Sequence, residues 1–362
     1  MFRRLTQRWL LSLVFLLGLS LNVFSENQPA AETTGNNEDE KKGSAFDPGE
    51  VILGHIADSH EWHFFSVKKS DGTDWHATIF LPVIIYTPGE GLEIFSFKRL
   101  EHGPYKSISV DGEDHISRTD GKNFYDFSLT KNVVQLLLSM IIMLLLFTTM
   151  ARNYKKYGVK APRGLQSALE VIVMFIRDEV AKPMLGKRAD KFLPYLLTLF
   201  FFIWINNLLG LIPGSANVTG NIAVTATLAA MTFILMMVGS KRTYWKHMVA
   251  PPGVPWMVLP ILVPIEFISN IIVKPFALMI RLFANMLAGH LIILSFITII
   301  FIFAAMNVAG GLGASIFSIA FSIFVYLLEL LVAALQAYIF TILTALFIGE
   351  TGIEHSHSDE HH

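Results

Sequence analysis

Hydrophobic positions in this chain gather into long unbroken runs, not the alternation of a half-buried helix or strand. Asn132–Met150 (NVVQLLLSMIIMLLLFTTM) is about 19 residues, or about 28 Å of helix, enough to cross the core of a bilayer. Phe192–Leu211 and Thr219–Gly239 are runs of similar length. Val258–Phe303 and Ala314–Ile348 are longer than a perpendicular crossing needs. They predict two long, tilted, antiparallel helices, with Gly310 and Gly311 turning the chain between them. Leu165–Leu185 differs, because its apolar stripe is interleaved with Glu170, Arg177, Asp178, Glu179 and Lys182. That is the pattern of an amphipathic helix lying at a membrane surface. Nearer the N-terminus, WHATIFLPVIIYTPGEGLEIFSF sets two β-rich runs around Thr87-Pro88-Gly89-Glu90-Gly91, a predicted hairpin. The fold class expected is an all-α polytopic membrane protein of about five membrane helices. An amphipathic helix and a small β-rich N-terminal outer region complete it.

Composition agrees: 53% of residues are hydrophobic, 16% are charged, and mean hydropathy is +0.51. The chain has no cysteine, which excludes disulfides and thiolate metal sites. Arg3, Arg4 and Arg8 precede the apolar WLLSLVFLLGLSLNVFS, so residues 1–25 read as a signal peptide. Residues 26–45 read as a disordered linker, 46–128 as a periplasmic region, 129–350 as the membrane domain and 351–362 as a polar cytoplasmic tail. The loops ARNYKKYGVKAPR and KRTYWKH are basic, whereas the turn Pro213–Val218 carries no charge. By the positive-inside rule the basic loops are cytoplasmic, with the N-terminal region outside. His55, His60 and His63 lie close in sequence, with His76 farther on, and read as surface or interfacial histidines. No metal, cofactor or nucleic-acid partner is expected. His60-Glu61-Trp62-His63 has the wrong spacing for a zinc protease and lies outside the apolar runs.

Few ionisable residues interrupt the last two runs: Glu266, Lys274, Arg281, His290 and Glu329, with the amide of Gln336 beside them. An arginine at the centre of a membrane helix costs roughly 2.5–3.5 kcal/mol on insertion scales, so Arg281 is not idle there. It stays protonated and cannot pass a proton on, but it favours proton loss from a neighbouring acid. Asn285 falls on the same helical face, and Gly289 admits close approach of another helix. Glu329 and Gln336 are two turns apart on one face of the final run. In antiparallel order, His290 and Glu329 reach similar depth toward the outside, with Arg281 and Gln336 deeper and Glu266 on the inner side. Two polar paths follow. The outer one uses His290 and Glu329, and the inner one opens near Glu266, Ser269 and Asn270, with the fixed charge of Arg281 between them.

These residues carry a resemblance. RLFANMLAGH at Arg281–His290 and LLELLVAALQAYIFTILTALF at Leu327–Phe347 resemble subunit a of the membrane sector of bacterial F-type ATP synthases. NLLGLIPG (Asn207–Gly214), TGNIAVT (Thr219–Thr225) and PIEFIS (Pro264–Ser269) support it, and the resemblance spans roughly Phe124–Ile348. It implies a stationary proton-channel subunit that faces the carboxylates of a rotating c-ring. The further partners implied are the peripheral-stalk subunit b and the rest of the complex, in a bacterial inner membrane. It implies that Arg281, Asn285, His290, Glu329 and Gln336 serve proton translocation, with Gln336 beside Arg281. Glu266 and Asn207 join them as candidates. Many bacterial members carry an acid at the position of His290 and a histidine at that of Glu329; here the two are exchanged. The chain would be non-catalytic, without an ATP-binding site. The alternative is a self-contained ion-coupled secondary transporter, but the sequence shows no internal repeat of the kind many of them carry.

Overall fold

The computed structural model describes residues 58–68, 74–100, 103, 105, 107–110, 116–120, 122–158, 164–212, 214–240, 242–249, 254–306 and 308–351. The expected signal peptide and linker, His55, and the tail beyond Thr351 lie outside those residues.

The N-terminal module is made of antiparallel pairs. β1 (Glu61–Lys68) pairs with β2 (Asp74–Phe80), and β3 (Pro82–Thr87) with β4 (Gly91–Ser96). β5 (Ile108–Val110) pairs with β6 (Ile116–Arg118), while β7 (Tyr125–Asp126) adds to the free edge of β3. The predicted hairpin is present, in register from Pro82↔Ser96 to Thr87↔Gly91. Gly89 and Gly91 close it at φ 96° and 93°, a region where a side chain would be strained. Alternation along β3 and β4 turns Val83, Ile85 and Phe95 inward, against Phe97, Leu100, Ile108 and Ile116. His60, expected at a surface, is buried and stacks on Phe97 at 5.3 Å between ring centroids. A flat ring fills the edge of this small core, which the spacing of histidines did not reveal.

Among the described residues, five segments are long and apolar enough to cross a membrane: Lys131–Lys156, Leu165–Gly210, Ile222–Gly239, Leu259–Phe303 and Gly311–Glu350. The first is α1 (Lys131–Tyr157), whose N-terminus is capped by the Thr130 hydroxyl accepting from the Val133 N–H. The second contains α2 (Leu165–Phe175), α3 (Lys182–Leu185) and α4 (Ala189–Gly210). α5 (Ile222–Gly239) and the short α6 (Arg242–Val249) follow. α7 (Leu259–Ile268) leads into α8 (Lys274–Met306), and α9 (Val308–Glu350) completes the bundle. α4 is the core helix, with Leu196, Leu199 and Ile203 fully buried.

Two expectations need correction. Gly310 and Gly311 do not break the last pair of helices, because α9 already begins at Val308 and runs through both. Where water does not compete for backbone hydrogen bonds, glycine is readily kept in a helix. Nor is Leu165–Leu185 one uniform amphipathic helix. Ile176–Ala181 forms a π turn between α2 and α3, and Ile176, Val180 and Ala181 are buried by it. The charged stretch is carried on the other side of that turn, where Lys182 pairs with Asp178 at 2.7 Å.

Both ends of the bundle are tied. At the module end, the uncharged turn between α4 and α5 is capped by asparagines: Asn217 accepts from the Gly220 N–H and Asn221 from the Ala223 N–H, each at 2.9 Å. Trp62 donates from Nε1 to the Gly214 carbonyl at 2.6 Å, and Gln135 Oε1 accepts from the Ala216 N–H at 2.8 Å. The module therefore rests on that turn and on the start of α1. At the opposite end, the Arg188 guanidinium donates to the carbonyls of Gly239 (3.0 Å) and Ile348 (3.5 Å). A cation there satisfies the last carbonyls of α5 and α9 together.

Candidate functional site

α8 buries Leu278, Leu282 and Met286 against the bundle. That choice of face turns Arg281, Asn285 and Ala288, at i, i+4 and i+7, outward, and all three are exposed. Among the described residues Arg281 makes no hydrogen bond or ion pair. The exposure belongs to a larger surface. Only 17% of the apolar window in Leu259–Phe303 and 17% of that in Gly311–Glu350 is buried, against 78% for Leu165–Gly210. The last two spans thus present a bare face with an uncompensated cation on it.

Behind that face, α9 holds the polar groups. Gln336 is buried, and its Oε1 accepts from Asn285 Nδ2 at 2.8 Å. The hydrogen bond of Gln336 goes to Asn285, about one turn beyond Arg281. Glu329 is 7% exposed. Glu329 Oε1 and Gln336 Nε2 lack a hydrogen-bond partner among the described residues. Polar atoms left open in an apolar seam point to work other than holding the fold. The room for Glu329 comes from α8: a Cβ built on Gly289 would fall on its carboxyl group. Glu329 therefore reaches α8 at the level of Gly289, next to His290 in the chain, whereas Arg281 lies about 12 Å away along the helix.

Glu266 is placed elsewhere. It lines a cavity of about 510 Å³ at the Arg188 end of the bundle, together with Tyr244, Ser269, Asn270, Lys274 and Glu350. The turn that presents these groups is a second π segment, Ser269–Val273, set between α7 and α8. Asn207 stands apart from both places. It is fully buried, its Nδ2 donates to the Ala333 carbonyl at 3.2 Å, and its Oδ1 accepts from the Thr219 hydroxyl at 2.7 Å. These bonds tie α4 to α9 and to the turn after α4.

Sequence reasoning passed over the ion pair between Lys274 and Glu350, 2.5 Å apart and 76 residues distant in the chain. No local spacing signals it. A lone lysine in an apolar run does, however, demand an acid partner.

The ATP synthase A chain family matches residues 133–349, a span that contains every candidate residue named above. The chain belongs to that family. ATP synthase subunit a 2 of Chlorobaculum tepidum is 46% identical over 261 residues, covering 70% of this chain and 71% of its own. ATP synthase subunit a of Chloroherpeton thalassium is 45% identical over 244 residues, covering 66% and 71%. ATP synthase subunit a 2 of Chlorobium luteolum is 40% identical over 328 residues, covering 89% and 79%. For an ATP synthase A chain, a polytopic helical membrane protein is the expected architecture, and the five apolar segments agree with it. Nothing in the comparisons favours a self-contained transporter. A domain of unknown function, DUF8433, matches residues 51–134, where the β-module and the first turn of α1 lie.

Proposed function

We propose that the chain is the stationary proton-channel subunit of a rotary F-type ATP synthase, with two offset half-channels that load and unload the carboxylates of a c-ring. The observation that carries the reading is Arg281, exposed on the bare face of α8 and without a hydrogen bond or ion pair among the described residues, with the Asn285–Gln336 bond and Glu329 behind it. A ring carboxyl moving through lipid travels protonated, because a charge there costs several kcal/mol. Opposite Arg281 the anion is favoured, so the proton leaves. It cannot pass directly to the other path, since the guanidinium never gives up its charge and repels it. Glu329, with His290, serves the path on the module side, and Glu266 serves the path on the cavity side. Asn285 and Gln336 hold polar contact between the two helices near the barrier. The cavity end faces the cytoplasm and the β-module the periplasm in this reading, which the basic loops support by the positive-inside rule. Subunit b of the peripheral stalk would hold the chain still against rotation, with the rest of the complex around it.

The test is Arg281→Ala, read by ATP-driven fluorescence quenching in inverted vesicles with the chain level checked by immunoblot. Coupled pumping should vanish, while passive proton conduction through the headpiece-stripped membrane sector persists or rises. Coupled pumping at normal rate in that variant defeats the reading.

A further inference from the structure

The cavity beside Glu266 holds an arrangement that the two half-channels do not by themselves require. Lys274 opens α8, about 10 Å along the helix from Arg281. Its ammonium is pinned between Glu350 Oε2, at 2.5 Å, and the ring of Phe347, 4.9 Å from the centroid. Among the described residues, the titratable groups lining the cavity are Tyr244 from α6, Glu266 from α7, Lys274 from α8 and Glu350 from α9. Two carboxylates and one ammonium leave the cavity with a net negative charge, provided that Glu350 is present. Without it, the remaining ammonium and carboxylate would cancel.

We infer that Glu350 acts as a positioning residue that neutralises Lys274, so that the mouth of the cavity stays attractive to protons and Glu266 is free to exchange them. This rests on the half-channel reading above. A fixed cation stops protons at Arg281, where a stop is needed; at an open mouth the same charge would be an obstacle. A negative cleft with low-dielectric walls concentrates cations by about 10- to 1,000-fold. Deleting one of the two negative charges that line the cavity among the described residues therefore removes most of that effect. Tyr244 fits the same account. Its buried hydroxyl has no hydrogen-bond partner among the described residues. Burial first, then the charges of Glu350 and Glu266, push its phenol up to about 12. It stays a neutral donor beside the carboxylates and adds no charge of its own.

Passive proton conduction is measured in headpiece-stripped inverted vesicles, at chain levels matched by immunoblot. Glu350→Gln should lower it by about tenfold. The double variant Lys274→Gln/Glu350→Gln should recover most of the loss, because the obstructing charge is gone. Lys274→Gln alone, which does not depend on the stability of the Glu350 variant, should conduct at least as well as the unmodified chain. If the pair is only a brace between helices, both Lys274 variants will conduct as poorly as Glu350→Gln, and that result overturns the inference. Unchanged conduction in Glu350→Gln overturns it too. Arg281→Ala, run alongside, separates the two levels: coupled pumping retained there sinks the half-channel reading, whatever the mouth variants do.

Discussion

Gly289 has no side chain, and the Glu329 carboxyl group occupies the room where one would be. The sequence shows that a glycine here allows close approach, but not that the approaching group is an acid from 40 residues farther on. Gly289→Ala should therefore displace Glu329 and cut proton conduction in stripped vesicles about tenfold or more, with the chain still in the membrane. Adding Glu329→Asp, one methylene shorter, should restore part of it. Unimpaired conduction in Gly289→Ala would show that Glu329 is not needed in this position. Asn207 tests the converse. Both ends of its amide are engaged in the fold, so Asn207→Leu should cost about 1–3 kcal/mol of stability, seen as a lower melting temperature in detergent. Conduction per surviving molecule should stay near normal; a specific loss of conduction would return Asn207 to the proton path. In the module, the hydrogen bond from Arg118 holds the Asp120 carboxyl down to about 2. Because the folded value lies below the ordinary one of 3.8, this contribution is complete above that range and is lost as pH falls toward 2. Pepsin should then cut near 107–126 only at the acid extreme, and already at pH 4 in Arg118→Met.

Among the elements, hydrophobic run length proved the most legible feature. Each of the five long runs corresponds to a described apolar segment, and the β3–β4 hairpin follows from its turn residues. What run length does not encode is helical phase. The π turn at Ser269–Val273 takes in one residue more than an α turn would, and so rotates everything beyond it by about 100°. That rotation decides whether Lys274 and Glu266 share one cavity, and neither periodicity nor composition announces it. Deleting Ile272 should convert the segment to regular helix and leave Glu266 and Lys274 seven residues apart, still on one face, whereas inserting an alanine after Ile272 adds about 100° and should swing Glu266 away from Lys274. Coupled pumping should fall about tenfold in the insertion variant and stay near normal in the deletion variant, at chain levels matched by immunoblot. Full pumping after the insertion would mean that the phase of α7 is immaterial. The glycine pair misled for a related reason: glycine breaks a helix by exposing its backbone to water, and a bilayer removes that competitor.

At the scale of the whole molecule, the unequal burial of the spans marks which side awaits company. α4 lies in the core, whereas α8 and α9 leave most of their apolar windows open. Orientation has its own test. A cysteine at Thr243, in the basic helix α6 after α5, should resist an impermeant thiol reagent in intact cells and react once vesicles are inverted. Ready labelling in intact cells would reverse the topology. The bond from Trp62 to Gly214 adds a consequence in time. Its partners are 152 residues apart, and a ribosome adding about 5–20 residues per second needs about 8–30 s to make that stretch. For those seconds the β-module has no turn to rest on. Its own small core of Val83, Ile85, Phe95 and Ile108 must keep it in shape until the landing place is synthesised. Among the described residues the module is the first folded part to be made, and the turn it docks on follows only after α4.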